Sequence, residues 1–171
     1  MPAHGRFVGA GQTPFALYPD RKGERVGLNW RVPALNGRRV IRHVIFDTNY
    51  WKSFVHSRLK VAMGDAGCLS IFGKAGKTDQ HCLFAHHLVS EYRVTTQGNG
   101  RTLEEWKIRL SVGDNHWFDC LVGCAVAASM EAVSLAVTPS TKPAVRKKYL
   151  PFAQARSYRE RYDEWKQKLP G

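Results

Sequence analysis

Residues 112–128, VGDNHWFDCLVGCAVAA, set a short polar segment with two carboxylates and a histidine directly ahead of a run of small and apolar residues. The run reads as a buried helix, with Asp114, His116 and Asp119 gathered at its N-terminal end. Charged residues are rarely buried unless they are paired or bind a metal. Asp119, lying among Trp117, Phe118, Leu121 and Val122, therefore needs an explanation. One is structural, because the helix dipole favours an acid in the first turn. The other is functional: a metal-binding carboxylate that handles phosphate chemistry. Cys120 and Cys124 share a helix face with His116, which would suit a metal site. Among Ala and Val, however, Cys behaves as a small buried apolar residue, and that is the better reading.

Upstream, RVGLNWRVP (25–33) and RRVIRHVIFD (38–47) read as two strands rich in pleat-favouring residues. Asn36-Gly37 between them is a hairpin signal. Arg31, Arg38, Arg39 and Arg42 fall on its exposed positions, either to track a phosphate backbone or to solvate a sheet edge. At Asp47-Thr48 the period changes. Tyr50, Trp51, Phe54, Val55, Leu59 and Met63 recur with helical spacing, and Asp47 or Thr48 suits the N-cap. Lys52, His56, Arg58 and Lys60 are expected along the solvent face. CLSIF (68–72) is a strand candidate, and residues 79–91 read as a half-exposed helix whose histidines lack ligand spacing. GKAGKTD (73–79) lacks the spacing of a phosphate-binding loop. YRVTTQGNGRTLEEWKIRL reads as a second hairpin turning at Gly98-Asn99-Gly100, with Trp106 on the core. Residues 1–24, rich in Gly and Pro, read as irregular. The coarse order gives an α/β fold, a mixed β-sheet flanked by helices.

Composition narrows the partner. A net charge of +12 and a pI of about 9.9 point to a polyanion, nucleic acid first and an acidic membrane surface second. The 43% apolar fraction suffices for a core. No apolar run reaches spanning length, and MPAHGRFVGAGQ does not have the layout of a signal peptide. An intracellular, membrane-free protein is expected, in keeping with four cysteines that show no Cys-x-x-Cys pair. From Lys142 to Lys168 nine Lys and Arg face three acids, a basic tail after a Pro-broken linker.

HVIFDTNYWKSFVHSRL, HHLVSEYRV, GNGRTLEEWKIR and DNHWFDCLVGCAVAAS resemble, in order and spacing, the C-terminal nuclease region of phage terminase large subunits of the GpA type. PAHGRFVGAG resembles the segment just before that region's central hairpin. The resemblance covers residues 2–133. It implies an RNase H-like fold, incomplete here, and divides the chain into a partial nuclease-like domain (1–135) and a basic linker with a C-terminal helix (136–171). It also implies a DNA endonuclease holding two Mg2+ or Mn2+ ions on acidic residues, in a protein that cuts double-stranded viral DNA for packaging. The implied partners are the packaging ATPase or small subunit and the portal protein, in the cytoplasm of a bacterial host. The family's last acidic motif, of the pattern N-E-A-L-D-C, reads here Asn115-His116-Trp117-Phe118-Asp119-Cys120. Asp119 carries over directly. His116 replaces the family's Glu, and Asp114 stands by as a nearby carboxylate. The resemblance thus implies Asp119 and Asp114 as metal ligands and His116 as a ligand or water-orienting group. Lys52, Arg31, Arg38, Arg39, Arg42 and Arg58 are the expected DNA contacts. The chain has no Walker-type motor motif and starts after the place of the family's leading Asp. It is therefore expected to be a piece of a longer or split protein. The alternative function is a non-catalytic DNA-binding or assembly module. A third carboxylate within reach, Asp47 or Glu91, would favour a self-sufficient metal site.

Overall fold

The computed structural model describes residues 1–35, 41–72, 81–109 and 113–132, together with Gln167 alone. Four short strands, β1 (Ala3–Arg6), β2 (Arg25–Gly27), β3 (Trp30–Val32) and β4 (Val44–Asp47), form a mixed sheet of order β1-β4-β3-β2. β1 runs parallel to β4, and the other pairs are antiparallel. Helices α1 (Thr48–Lys60) and α2 (Cys82–Val89) follow. Next come the hairpin β5 (Glu91–Gly98) and β6 (Arg101–Ile108), a separate two-stranded sheet, and finally α3 (His116–Met130). The fold is α/β, a mixed sheet with flanking helices, as the alternation of periods predicts.

α1 is central. Asp47 caps it by accepting from the backbone N–H of Asn49 (3.0 Å) and Tyr50 (3.2 Å), which stabilises the helix start by about 1 kcal/mol. Its buried stripe, Trp51 and Val55, meets Trp30, Phe46, Trp106 and Phe118 in one core. Each core tryptophan keeps a partner for its indole N–H, as buried Trp requires. Trp30 donates to Ser129 Oγ, Trp51 to the Asn29 carbonyl and Trp106 to Ser53 Oγ. Asn49, fully buried, donates to the Val8 carbonyl and accepts from the Trp106 N–H. One side chain therefore joins the N-terminal segment, α1 and β6.

The second hairpin forms as expected. Asn99 (φ +48°) and Gly100 (φ +71°) make the two-residue turn with both residues left-handed, the geometry that matches strand twist. A Cβ on Gly98 would meet the Gly11 nitrogen at 2.8 Å, so the hairpin tip sits tight against the N-terminal loop.

Several expectations are corrected. Residues 3–6 form an edge strand and Phe15–Leu17 a 3-10 turn, where an irregular segment is expected. AHGR is exposed throughout and pairs through its backbone, so it carries no hydrophobic alternation. The 25–33 strand is broken by a tight turn at Leu28-Asn29, with Asn29 at φ +52°. Residues 68–72 are not a strand. Leu69 instead packs on the core, its N–H bonded to the Arg58 carbonyl at the end of α1. α3 buries only one stripe, Phe118, Val122, Val126 and Met130, and leaves Cys120 and Cys124 exposed. Its small residues fit an open face as well as a buried one, and α1 and α2 cover only one side of it. The Asn36-Gly37 turn, Arg38, Arg39, the GKAGKTD loop and residues 136–171 except Gln167 lie outside the described residues.

Candidate acidic site

Lys52, Glu91, Asn115 and Asp119 meet where α1, the start of β5 and the start of α3 converge. Lys52 Nζ lies 2.5 Å from Glu91 Oε1 and 3.0 Å from Asp119 Oδ1. Asn115 Nδ2 donates to the same Glu91 Oε1 at 2.6 Å and to Asp119 Oδ2 at 2.9 Å. Two carboxylates are thus bridged twice, once by an ammonium and once by an amide. Glu91 is almost sealed, its side chain 2% exposed, whereas that of Asp119 is 50% exposed. The pair sits at the protein's edge, with one acid inside and one reachable from solvent.

Each member has a local reason for its place. Lys52 lies three residues before Val55, on the covered side of α1, and its ammonium sits 5.5 Å from the centre of the Phe118 ring. Glu91 follows Ser90, a fully buried residue whose hydroxyl donates to the His87 carbonyl and whose carbonyl accepts from the Arg109 N–H. This turn aims the first residue of β5 inward. Asn115 occupies the N-cap of α3 yet makes no side-chain capping bond. An Asn in that position ordinarily gives its oxygen to the helix amides, and here the side chain is committed to the two acids instead.

The expected solvent-face positions of Lys52 and Arg31 are corrected. Lys52 is buried and paired with both acids. Arg31 is buried by the Tyr18–Glu24 loop, donating to the Tyr18 and Pro19 carbonyls, Asp20 and Glu24. Periodicity assigns long cations to the surface, but charge pairs formed with distant segments override it. Asp119, expected buried among apolar neighbours, is half open because it lies at the rim of the α3 stripe. Asp114 and His116 are exposed and lie 3.6 Å from each other. They are not among the groups bridging Glu91 and Asp119. Arg42 is exposed, and Arg58 is half-buried over the Phe54 ring. Lys107 and Arg109, which the sequence reading does not single out, are exposed at the Glu91 end of the hairpin.

Asp47 takes its N-cap role and lines a different cavity of about 290 Å³ with Tyr50, Ser53, Arg101 and Glu104. Burial pushes its carboxyl above the ordinary value of 3.8, against the pull of the Tyr50 and Asn49 amides. Burial, aided by Lys60 and Arg93, holds His56 below its ordinary 6.5. Beside the acid pair, the Trp117 indole stacks on His87 with centroids 4.9 Å apart and fastens α3 to α2.

Carboxylate oxygens suit Mg2+ or Mn2+, and magnesium sites commonly use one or two carboxylates completed by water and substrate phosphate. Glu91 and Asp119 would supply two such carboxylates, which the Lys52 ammonium and the Asn115 amide nitrogen bridge in this structure. Among the described residues no cluster of three or more His, Cys, Asp or Glu is placed to hold a metal. No described helix is long and apolar enough to cross a membrane.

No curated protein and no solved structure matches the chain. The family model described as terminase large subunit gpA, endonuclease domain, matches residues 33–139. That span takes in Lys52, Glu91, Asn115 and Asp119 and more than half of the chain, which therefore belongs to the terminase large subunit gpA endonuclease family.

Proposed function

We propose that this chain is the divalent-metal-dependent DNA endonuclease region of a packaging terminase, RNase H-like in its chemistry, and that Glu91 and Asp119 hold the metal. The observation that carries this reading is the double bridging of the two acids by Lys52 and Asn115. Folding sets two like charges against a single ammonium, which leaves one negative charge uncompensated, and one of the two acids is open to solvent. The chemistry a Mg2+ or Mn2+ ion supplies there is activation of water and neutralisation of charge on the scissile phosphate. Asn115 orients both carboxylates. The exposed cations Lys107 and Arg109, together with Arg42 and Arg58, are the proposed contacts to double-stranded DNA, with the packaging ATPase and portal protein as wider partners. Asp114 and His116, which flank Asn115 in the chain and pair with each other, are the proposed third carboxylate and water-orienting group.

Plasmid nicking with Mn2+ tests this reading. Asp119→Ala is expected to lower the rate at least about a hundredfold, the scale of losing a preorganised charge at a reacting centre. Undiminished nicking by Asp119→Ala would sink the assignment. The second reading, a DNA-binding or assembly module without catalysis, draws on one observation: the described residues gather two acids rather than three. It predicts binding that weakens steeply with salt and no metal-dependent nicking by the wild type.

A further inference from the structure

Lys52 occupies a place that the proposed function does not use. A lysine that touched DNA would present its ammonium to solvent. This one is 8% exposed, lies along Phe118 and spends its charge on the two acids. An ammonium has three donors and no acceptor, so it cannot remain between two carboxylates as a ligand once another cation binds them. An amide differs, because Asn115 presents either its NH2 or its oxygen after a half-turn about one bond. The two bridges are therefore unequal: Asn115 can stay, and Lys52 must yield.

We propose that Lys52 is a built-in counter-ion that competes with the divalent cation for Glu91 and Asp119. It holds the acid pair assembled and offsets one of its two negative charges until a cation displaces it. The inference rests on the reading of Glu91 and Asp119 as the cation's ligands. The asymmetry of burial sets the direction of exchange: the Lys52–Asp119 contact, at the open carboxylate, gives way first, and the Lys52–Glu91 contact lies behind it. The regulatory consequence is a cation threshold. The site takes up divalent ions only when their concentration overcomes an internal competitor.

Two measurements test this on the full chain. In the wild type, amine acetylation at Lys52 is followed by mass spectrometry with and without Mn2+. Displacement predicts a several-fold rise in labelling on adding Mn2+, and the rise disappears in Asp119→Asn. Labelling at Lys52 that ignores Mn2+ overturns the competition. In parallel, Mn2+ binding is read by electron paramagnetic resonance for Lys52→Met. Removal of a unit charge about 4 Å from the cation predicts at least about tenfold tighter binding, and binding no tighter than wild type overturns the proposal. The ligand reading is separated by Glu91→Gln and Asp119→Asn. If both leave wild-type Mn2+ binding unchanged, that reading falls and the competition falls with it. If they weaken Mn2+ binding while Lys52 labelling ignores the ion, only the competition falls.

Discussion

Arg31 and Lys52 are both buried, both face two acids, and both belong at the surface by sequence periodicity. Their surroundings differ. Arg31 places its planar fork against four acceptors from the single loop Tyr18–Glu24, so it staples a local loop to β3. Its two acids are unequal: Glu24 is nearly closed, and Asp20 is open to solvent. Lys52 draws its acceptors from β5 and α3, elements far along the chain, and shares them with an amide. A guanidinium matched to fixed acceptors is locked by geometry, whereas a compact ammonium can be exchanged for another point charge. Two buried cations of one chain thus separate a structural role from an exchangeable one.

Loss of a partner acid or of the cation itself is expected to affect the two places differently. Glu91→Ala removes the buried one of Lys52's two partners while Asp119 still pairs the ammonium, so the expected cost is about 2–3 kcal/mol, below the range for a fully orphaned buried charge, read as a fall in thermal midpoint. Arg31→Met takes the donor from the nearly closed Glu24 and from the Tyr18 and Pro19 carbonyls, while Asp20 hydrates freely, so a loss of about 1–3 kcal/mol is expected. The same variant should leave Mn2+-dependent labelling of Lys52 unchanged. If Arg31→Met altered that labelling, the two cations would not be independent.

Asp47 is a buried acid with no cation bridging it among the described ion pairs. Its carboxylate serves backbone N–H groups, and burial raises its pKa above 3.8. The folded state therefore holds the proton more tightly than the unfolded chain. The stability so conferred is complete below 3.8 and is lost as pH rises through the folded value. Asp47→Asn, an equally good cap that does not ionise, should remove this dependence. Asp47→Ala should cost about 1 kcal/mol through the lost cap. Melting curves across acidic pH read both. The smallest effect belongs to Asp114→Asn, an exposed change beside His116, expected within about 0.5 kcal/mol in stability.

Much of the frame was legible. Asn99-Gly100 between alternating strands announces the second hairpin, Asp47 announces the start of α1, and Trp106 announces its own burial. Those signals are local. The edge strand β1 was not legible, because AHGR pairs through its backbone and has no pattern to read. Asp119 was legible as an acid at a helix start, and Glu91 as an acid within reach. The fate of Lys52 was not, because its partners come from segments that only the folded chain brings together. The commitment of Asn115 was equally hidden, since an Asn before a helix reads first as a cap.

The open side of α3 has a practical consequence. Cys120 follows Asp119 directly, and Cys124 lies one turn on, both exposed. Thiols so placed accept a fluorophore or spin label without disturbing the core stripe. The helix therefore carries an intrinsic attachment point for a reporter one residue from the solvent-facing acid. The same thiols can cross-link copies of the chain in air, so the protein should be handled under reductant.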